Sequence, residues 1–286
     1  RCAMIATDLA SIAADFDAFL IDQFGVLLDG KAAFAPAPAS LQRLAKLGKP
    51  ILLLSNSGKR AEPNAKRLVS LGFARDSFDM VLSSGEAAYH LLARRIGSDL
   101  PHPTKIWLHA RDEDDSGIRG LDAQRVMQPE AADLLLLAGS QADSLSMASY
   151  QRLLAAAAAA RVPMLCSNPD MTMLTPRGLR PGAGAIATAY AKMGGPVEWI
   201  GKPYPLIYAE AAARLPGCAP ARVLCIGDSP AHDILGGQRA GHATALVRSG
   251  LHADLTDAAL AALCAQTARP DFVIPAFDLS QDAAWL

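Results

Sequence analysis

Asp22, Ser55, Lys202, Asp228 and Asp233 are the side chains of this 286-residue chain whose types and settings suit chemistry on an anion. Asp22 ends an apolar run, Asp17–Asp22, and Gln23-Phe24-Gly25-Val26-Leu27-Leu28-Asp29-Gly30 follows it. A carboxylate at the end of a buried strand can attack an electrophile or ligate a hard cation; a turn or cap aspartate is the equally ordinary alternative. Ser55-Asn56-Ser57-Gly58 follows a second apolar run, Pro50–Ser55. It offers a hydroxyl and backbone N–H groups to phosphate oxygens, though the same letters also make a plain loop. Lys202, between Gly201 and Pro203 before a helical run, is either a fixed positive charge or a solvated surface lysine. Asp228 follows the run Val223–Ile226, with Asp233 five residues on. Paired acids at a turn suit a divalent cation; both also suit helix caps. Each bland alternative is adequate singly. Together they leave unexplained why these junctions carry nucleophile, hydroxyl, lysine and acid pair in that order.

The elements that must position these groups alternate. Strands are expected at Asp17–Asp22, Pro50–Ser55, Met80–Ser83, Lys105–Ala110, Asp133–Ala138, Val162–Ser167, Arg222–Ile226, Ala243–Val247 and Phe272–Ile274. Helices are expected at Pro38–Gly48, Pro63–Leu71, Ser144–Ala160, Tyr204–Leu215 and Ala231–Ala240. Continuous apolar strands separated by helices indicate an α/β fold with a parallel sheet covered on both faces. In such sheets ligands bind beyond the carboxyl ends of the strands, which is where Asp22, Ser55 and Asp228 fall. The polar stretches Ser98–Pro103 and Thr175–Pro181 read as the seams of an insertion. Gly182-Ala183-Gly184-Ala185-Ile186-Ala187 matches a dinucleotide fingerprint, but no strand precedes it, so it reads as a glycine turn opening a helix.

Composition narrows the classes. Half the residues are hydrophobic, 51%, and the net charge is -1, which suits a globular protein with a substantial core and gives no electrostatic reason to expect nucleic acid. No apolar run reaches eighteen residues, so no membrane span is expected. The five cysteines, Cys2, Cys166, Cys218, Cys225 and Cys264, are odd in number with no CxxC spacing. Neither a disulfide framework nor a zinc site is expected, no secretory leader is evident, and a reducing cytoplasm is the expected location.

The order of these motifs resembles that of the haloacid dehalogenase (HAD) hydrolases. Asp22 matches the nucleophile motif, Ser55 the hydroxyl motif, Lys202 the lysine motif, and Asp228 with Asp233 the acidic motif. The segment after Asp22, the stretch Cys166-Ser167-Asn168-Pro169-Asp170 and the glycine turn before Lys202 also fit. The roughly 150 residues between the second and third motifs resemble the class IIA, p-nitrophenylphosphatase-like branch. The resemblance implies a doubly wound HAD core, 1–86 and 183–286, with an inserted α/β cap, 87–182. It implies a Mg²⁺-dependent phosphatase that forms an aspartyl-phosphate on Asp22 and acts on a small phosphorylated metabolite such as a sugar phosphate. Asp22, the Phe24 carbonyl, Asp228 and Asp233 would serve the metal; Gln23, Ser55, Asn56, Ser57, Asn168, Asp170 and Lys202 would serve the substrate. Neither nucleic acid nor membrane is an expected partner, and monomer and homodimer both stay open.

One position departs from the family. Most HAD phosphatases carry an aspartate two residues after the nucleophile as general acid and base; here it is Phe24. Its carbonyl can still ligate a metal, but its ring transfers no proton, and such help is typically worth about 10²- to 10⁴-fold. Asp29, His109 and Asp170 are the candidate replacements. Phosphonate or carbon–halogen cleavage, and slow ligand binding without turnover, are the alternative activities. The charged loop His109, Arg111, Asp112, Asp114, Asp115 is either a specificity surface or a solvated one.

Overall fold

A computed structural model of the protein describes residues 5–175 and 177–279; Cys2 lies outside them. In chain order the elements are β1 (Ile5–Ala6), α1 (Leu9–Ile12), β2 (Ala18–Asp22), α2 (Ala37–Ala45), β3 (Ile51–Ser55), α3 (Ala61–Ser70), β4 (Met80–Ser83) and α4 (Ser84–Arg95). Then come β5 (Thr104–His109), β6 (Ala123–Arg125), β7 (Leu134–Leu137), α5 (Met147–Ala159), β8 (Met164–Cys166), β9 (Thr172–Thr175), β10 (Gly178–Pro181), α6 (Ala183–Lys192) and β11 (Val197–Trp199). The chain continues with α7 (Pro205–Ala212), β12 (Val223–Gly227), α8 (Leu235–Arg239), β13 (Ala243–Val247), α9 (Asp257–Gln266) and β14 (Phe272–Ile274). The fold is an α/β fold built on parallel sheets.

The chain forms two compact units: 1–55, 62–82 and 202–286, and 56–61 with 83–201. The first holds a seven-stranded sheet in the order β1-β14-β13-β12-β2-β3-β4. Its central strands are buried along nearly their whole length because helices cover both faces, which is why Ala18–Ile21, Ile51–Leu54 and Val223–Ile226 read as unbroken apolar runs. Parallel register pairs Ile21 with Ile226 and Asp22 with Leu54. Asp22, Ser55 and Asp228 therefore emerge at one sheet edge, each within a residue of the same level.

The second unit holds a five-stranded parallel sheet, β11-β8-β7-β5-β6, and a two-stranded hairpin, β9-β10. Its core packs Tyr150, Leu154, Ala157 and Ala158 of α5 against Trp107, Leu135, Met164 and Tyr190. The alanine-rich segment is thus a helix with one stripe buried at helical spacing, capped by Ser146, whose side chain accepts the Ser149 N–H.

Three expectations need correction. Thr175–Pro181 is no seam: Thr175 pairs with Gly178 inside the β9–β10 hairpin. Ser98–Pro103 connects α4 to β5 within the second unit. The borders expected at 86/87 and 182/183 also move. Val197–Trp199 pairs with Met164–Cys166, so α6 and β11 complete the second sheet and the border falls after Gly201. Residues 56–61 join that unit because Arg60 grips Glu86 at 2.7 and 3.0 Å and Ser83 Oγ donates to the Lys59 carbonyl.

Candidate active site

Lys202 is the hub. Its ammonium, buried just before α7, lies 2.6 Å from Asp22 Oδ1 and 2.7 Å from Asp233 Oδ1. The long side chain crosses from one connection to two others, so a residue that reads as surface in isolation is fully committed. Asp233 sits in a single wide turn, Pro230–Ile234, that precedes α8, and its Oδ2 accepts the Ser229 N–H. Such π-type turns recur at functional sites. Asp228 Oδ2 accepts the Leu251 N–H at 2.6 Å. Two glycines admit that carboxylate: a Cβ on Gly25, whose φ is +77°, would lie 1.8 Å from Asp228 Oδ2, and one on Gly250 would lie 2.2 Å from it.

Asp22, Asp228 and Asp233 can each offer an oxygen such that all three lie within 4.8 Å of one another. Burial pushes Asp22 up to about 8, with the neighbouring carboxylates adding to it and Lys202 opposing. Burial and Asp233 push Asp228 up to about 6. Lys202 stays charged because the two aspartates outweigh its own burial and raise its pKa. Three carboxylates crowded round one ammonium hold protons that a divalent cation would displace, and an all-oxygen donor set is what Mg²⁺ prefers. The residues present fit such a cation.

Gln23 is buried directly behind Asp22, donates its backbone N–H to Asp22 Oδ1, and leaves its side-chain Nε2 without a partner. Ser55 is buried at the end of β3 beside β2. Asn56, Ser57, Asn168 and Asp170 belong to the second unit. There the Asn56 amide donates to Asp170 Oδ1, and the Asp170 N–H donates to Asn168 Oδ1. Ser57, Lys59, Arg111, Ser140 and Asn168 line a cavity of about 170 Å³ at the carboxyl ends of β5, β7 and β8. The glycine turn has a purely steric purpose: a Cβ on Gly182 or Gly184 would lie 2.1 Å from the carbonyl oxygen of Asp170 or Pro169.

Two proposed proton donors are overturned. His109 is a core histidine: its Nε2 meets the Tyr150 hydroxyl at 2.9 Å, its ring stacks on Trp107, and burial drives it down to about 4. Asp29 folds back on its own loop, accepting the Lys31 and Ala32 N–H groups, which hold its carboxyl below the usual range. The loop after His109 is largely paired: Arg111 meets Asp143, Asp112 meets Lys59, and Asp115 meets Arg119. Sequence reasoning missed Arg67, whose guanidinium lies over the Phe24 ring, and the Leu251 N–H; neither carries a signal in the local sequence.

This constellation on a parallel α/β sheet defines a hydrolase class. A family model for haloacid dehalogenase-like hydrolases matches residues 19–124, and a HAD-hydrolase-like model matches 199–279. Human chronophin is 30% identical over 244 residues, covering 81% of each chain. The sugar-phosphatase AraL of Bacillus subtilis is 30% identical over 244 residues, covering 81% of this chain and 82% of its own. The structure of the glycerol phosphate phosphatase of Mycobacterium tuberculosis in complex with magnesium superposes with a TM-score of 0.75 at 25% identity, over 95% of this chain and 79% of that one. The chain belongs to the haloacid dehalogenase-like hydrolases. No described helix is long and apolar enough to cross a membrane.

Proposed function

We propose that the protein is a Mg²⁺-dependent phosphohydrolase that acts on a small phosphorylated metabolite through a phosphoryl group carried on Asp22. The observation that carries this reading is the Asp22 carboxylate at the end of β2, held 2.6 Å from the Lys202 ammonium within reach of Asp228 and Asp233. Asp22 attacks phosphorus in line and displaces the leaving oxygen of the substrate, and water then hydrolyses the acyl-phosphate bond so formed. Lys202 neutralises charge on the transferring group, with the Ser55 hydroxyl and the N–H groups that follow it as further donors. Asp233 holds Lys202 and the Ser229 N–H in place. Asp22, Asp228 and the Phe24 carbonyl would hold the Mg²⁺, with Asp233 beside them. When bound, the cation offsets the repulsion between the Asp22 carboxylate and a phosphate dianion.

The second unit, 56–61 and 83–201, serves as the cap, and Asn56, Ser57, Asn168 and Asp170 as its substrate-side residues. Free Cys166, Cys225 and Cys264, all buried, fit a reducing cytoplasm. The activity is tested by phosphate release from aryl, acyl and sugar phosphates with and without Mg²⁺. Release that requires Mg²⁺ and vanishes in Asp22→Asn is expected. Binding of phosphate analogues without any turnover would overturn the catalytic reading.

A further inference from the structure

Phe24 stands in the loop leaving β2, two residues beyond Asp22, and the residue is 45% exposed. The Arg67 guanidinium of α3 lies over that ring, its carbon 4.5 Å from the centroid. Arg60, Arg95, Arg214, Arg222 and Arg248 each meet a carboxylate. No carboxylate among the described residues pairs with Arg67, and its surroundings strip part of its water; unlike Arg75, which lies over Phe78 and donates to the Phe78 carbonyl, it stands over the residue two positions past the nucleophile. An aromatic face fixes a guanidinium without consuming its charge or its donors. A partly dehydrated, oriented and uncompensated cation beside the nucleophile loop is an anion site in waiting, and it occupies the neighbourhood where a proton donor is missing.

We propose that Arg67, seated on Phe24, stabilises the leaving-group oxygen of the phosphoester in place of a proton donor, and so selects esters whose leaving oxygen departs as an anion, namely aryl, enol and acyl phosphates. The proposal rests on the phosphatase function above. In the step it serves, an Asp22 carboxylate oxygen forms a bond to phosphorus while the bond from phosphorus to the leaving oxygen breaks. The electron pair stays on that oxygen, and Arg67 is the cation assigned to its negative charge. Water then attacks the aspartyl-phosphate, its hydroxyl joining phosphorus and its proton neutralising the departed anion; Asp22 is regenerated.

The test is kcat/KM for a series of substituted aryl phosphates of rising leaving-group pKa, for the wild type, Arg67→Met and Arg67→Lys, with thermal unfolding confirming that each variant is folded. Removal of one oriented donor to developing charge costs about 10²-fold. Arg67→Met is expected to lose about that much on the poorest leaving group and less than about threefold on the best, steepening the dependence on leaving-group pKa. Arg67→Lys is expected to recover part of the loss. An equal loss across the series, or none, overturns the role assigned to Arg67 and leaves the Asp22 chemistry standing. A wild type that releases no phosphate from even the best leaving group overturns the phosphatase function and this proposal with it.

Discussion

Gly25→Ala tests how the site is held. Gly25 has φ +77°, where any other residue is strained by about 1–2 kcal/mol. Its new methyl would stand 1.8 Å from Asp228 Oδ2 and 2.4 Å from Cγ. The carboxylate would have to retreat by roughly 1.5 Å to reach ordinary van der Waals separation. It cannot retreat freely, because the Leu251 N–H holds the same oxygen at 2.6 Å and Gly250 crowds it from another side. A shift of about 1 Å in a positioned group can lower turnover about 10²-fold. The strain by itself shifts the melting temperature by a few degrees. Gly48→Ala separates the two effects: φ is +66° there and a Cβ meets nothing within 4 Å. Calorimetric Mg²⁺ titration and phosphate release should therefore be weakened about 10²-fold in Gly25→Ala and unchanged in Gly48→Ala, at similar losses of thermal stability. A folded Gly25→Ala protein with wild-type Mg²⁺ affinity and turnover would refute the assignment of Asp228 to the metal.

Three further outcomes are expected. Phe24→Asp introduces a proton donor and should raise kcat on alkyl phosphates by about 10²-fold, the low end of general acid help, because the Arg67 guanidinium beside position 24 favours the ionised form of the new carboxyl; unchanged alkyl phosphate turnover would count against a catalytic gap at this position. Mg²⁺ affinity should rise between pH 6 and 8, because the ligands must be ionised and protons are held on Asp228 up to about 6 and on Asp22 up to about 8. Calorimetry in buffers of different ionisation enthalpy should register proton release, and a flat affinity would contradict those shifts. His109 is depressed to about 4 from an ordinary 6.5, so the unfolded chain takes up its proton first. Stability present above pH 6.5 is lost as pH falls toward 4, by up to about 3 kcal/mol. Urea unfolding at pH 7, 5 and 4 should show this, and His109→Gln should flatten it.

The sequence by itself determined the strands and the order of the chemistry. Apolar runs ending at Asp22 and Ser55, and the run leading into Asp228, need no distant partner to be recognised, because a strand buried on both faces must be apolar along its length. The four motifs were legible for the same reason: each abuts the element that positions it. Tertiary structure decided the rest. Whether Lys202 is a surface cation or a buried bridge depends on two carboxylates, Asp22 and Asp233, the nearer of them 31 residues away along the chain. Whether His109 is an acid or a core residue depends on Tyr150 and Trp107 packing around it. The border after Gly201 depends on Val197–Trp199 finding Met164–Cys166, and the setting of Phe24 depends on a guanidinium delivered by a separate helix. Charge, burial and strand pairing are properties of neighbours in space, so they become fixed only when the chain has chosen which distant residues those neighbours are.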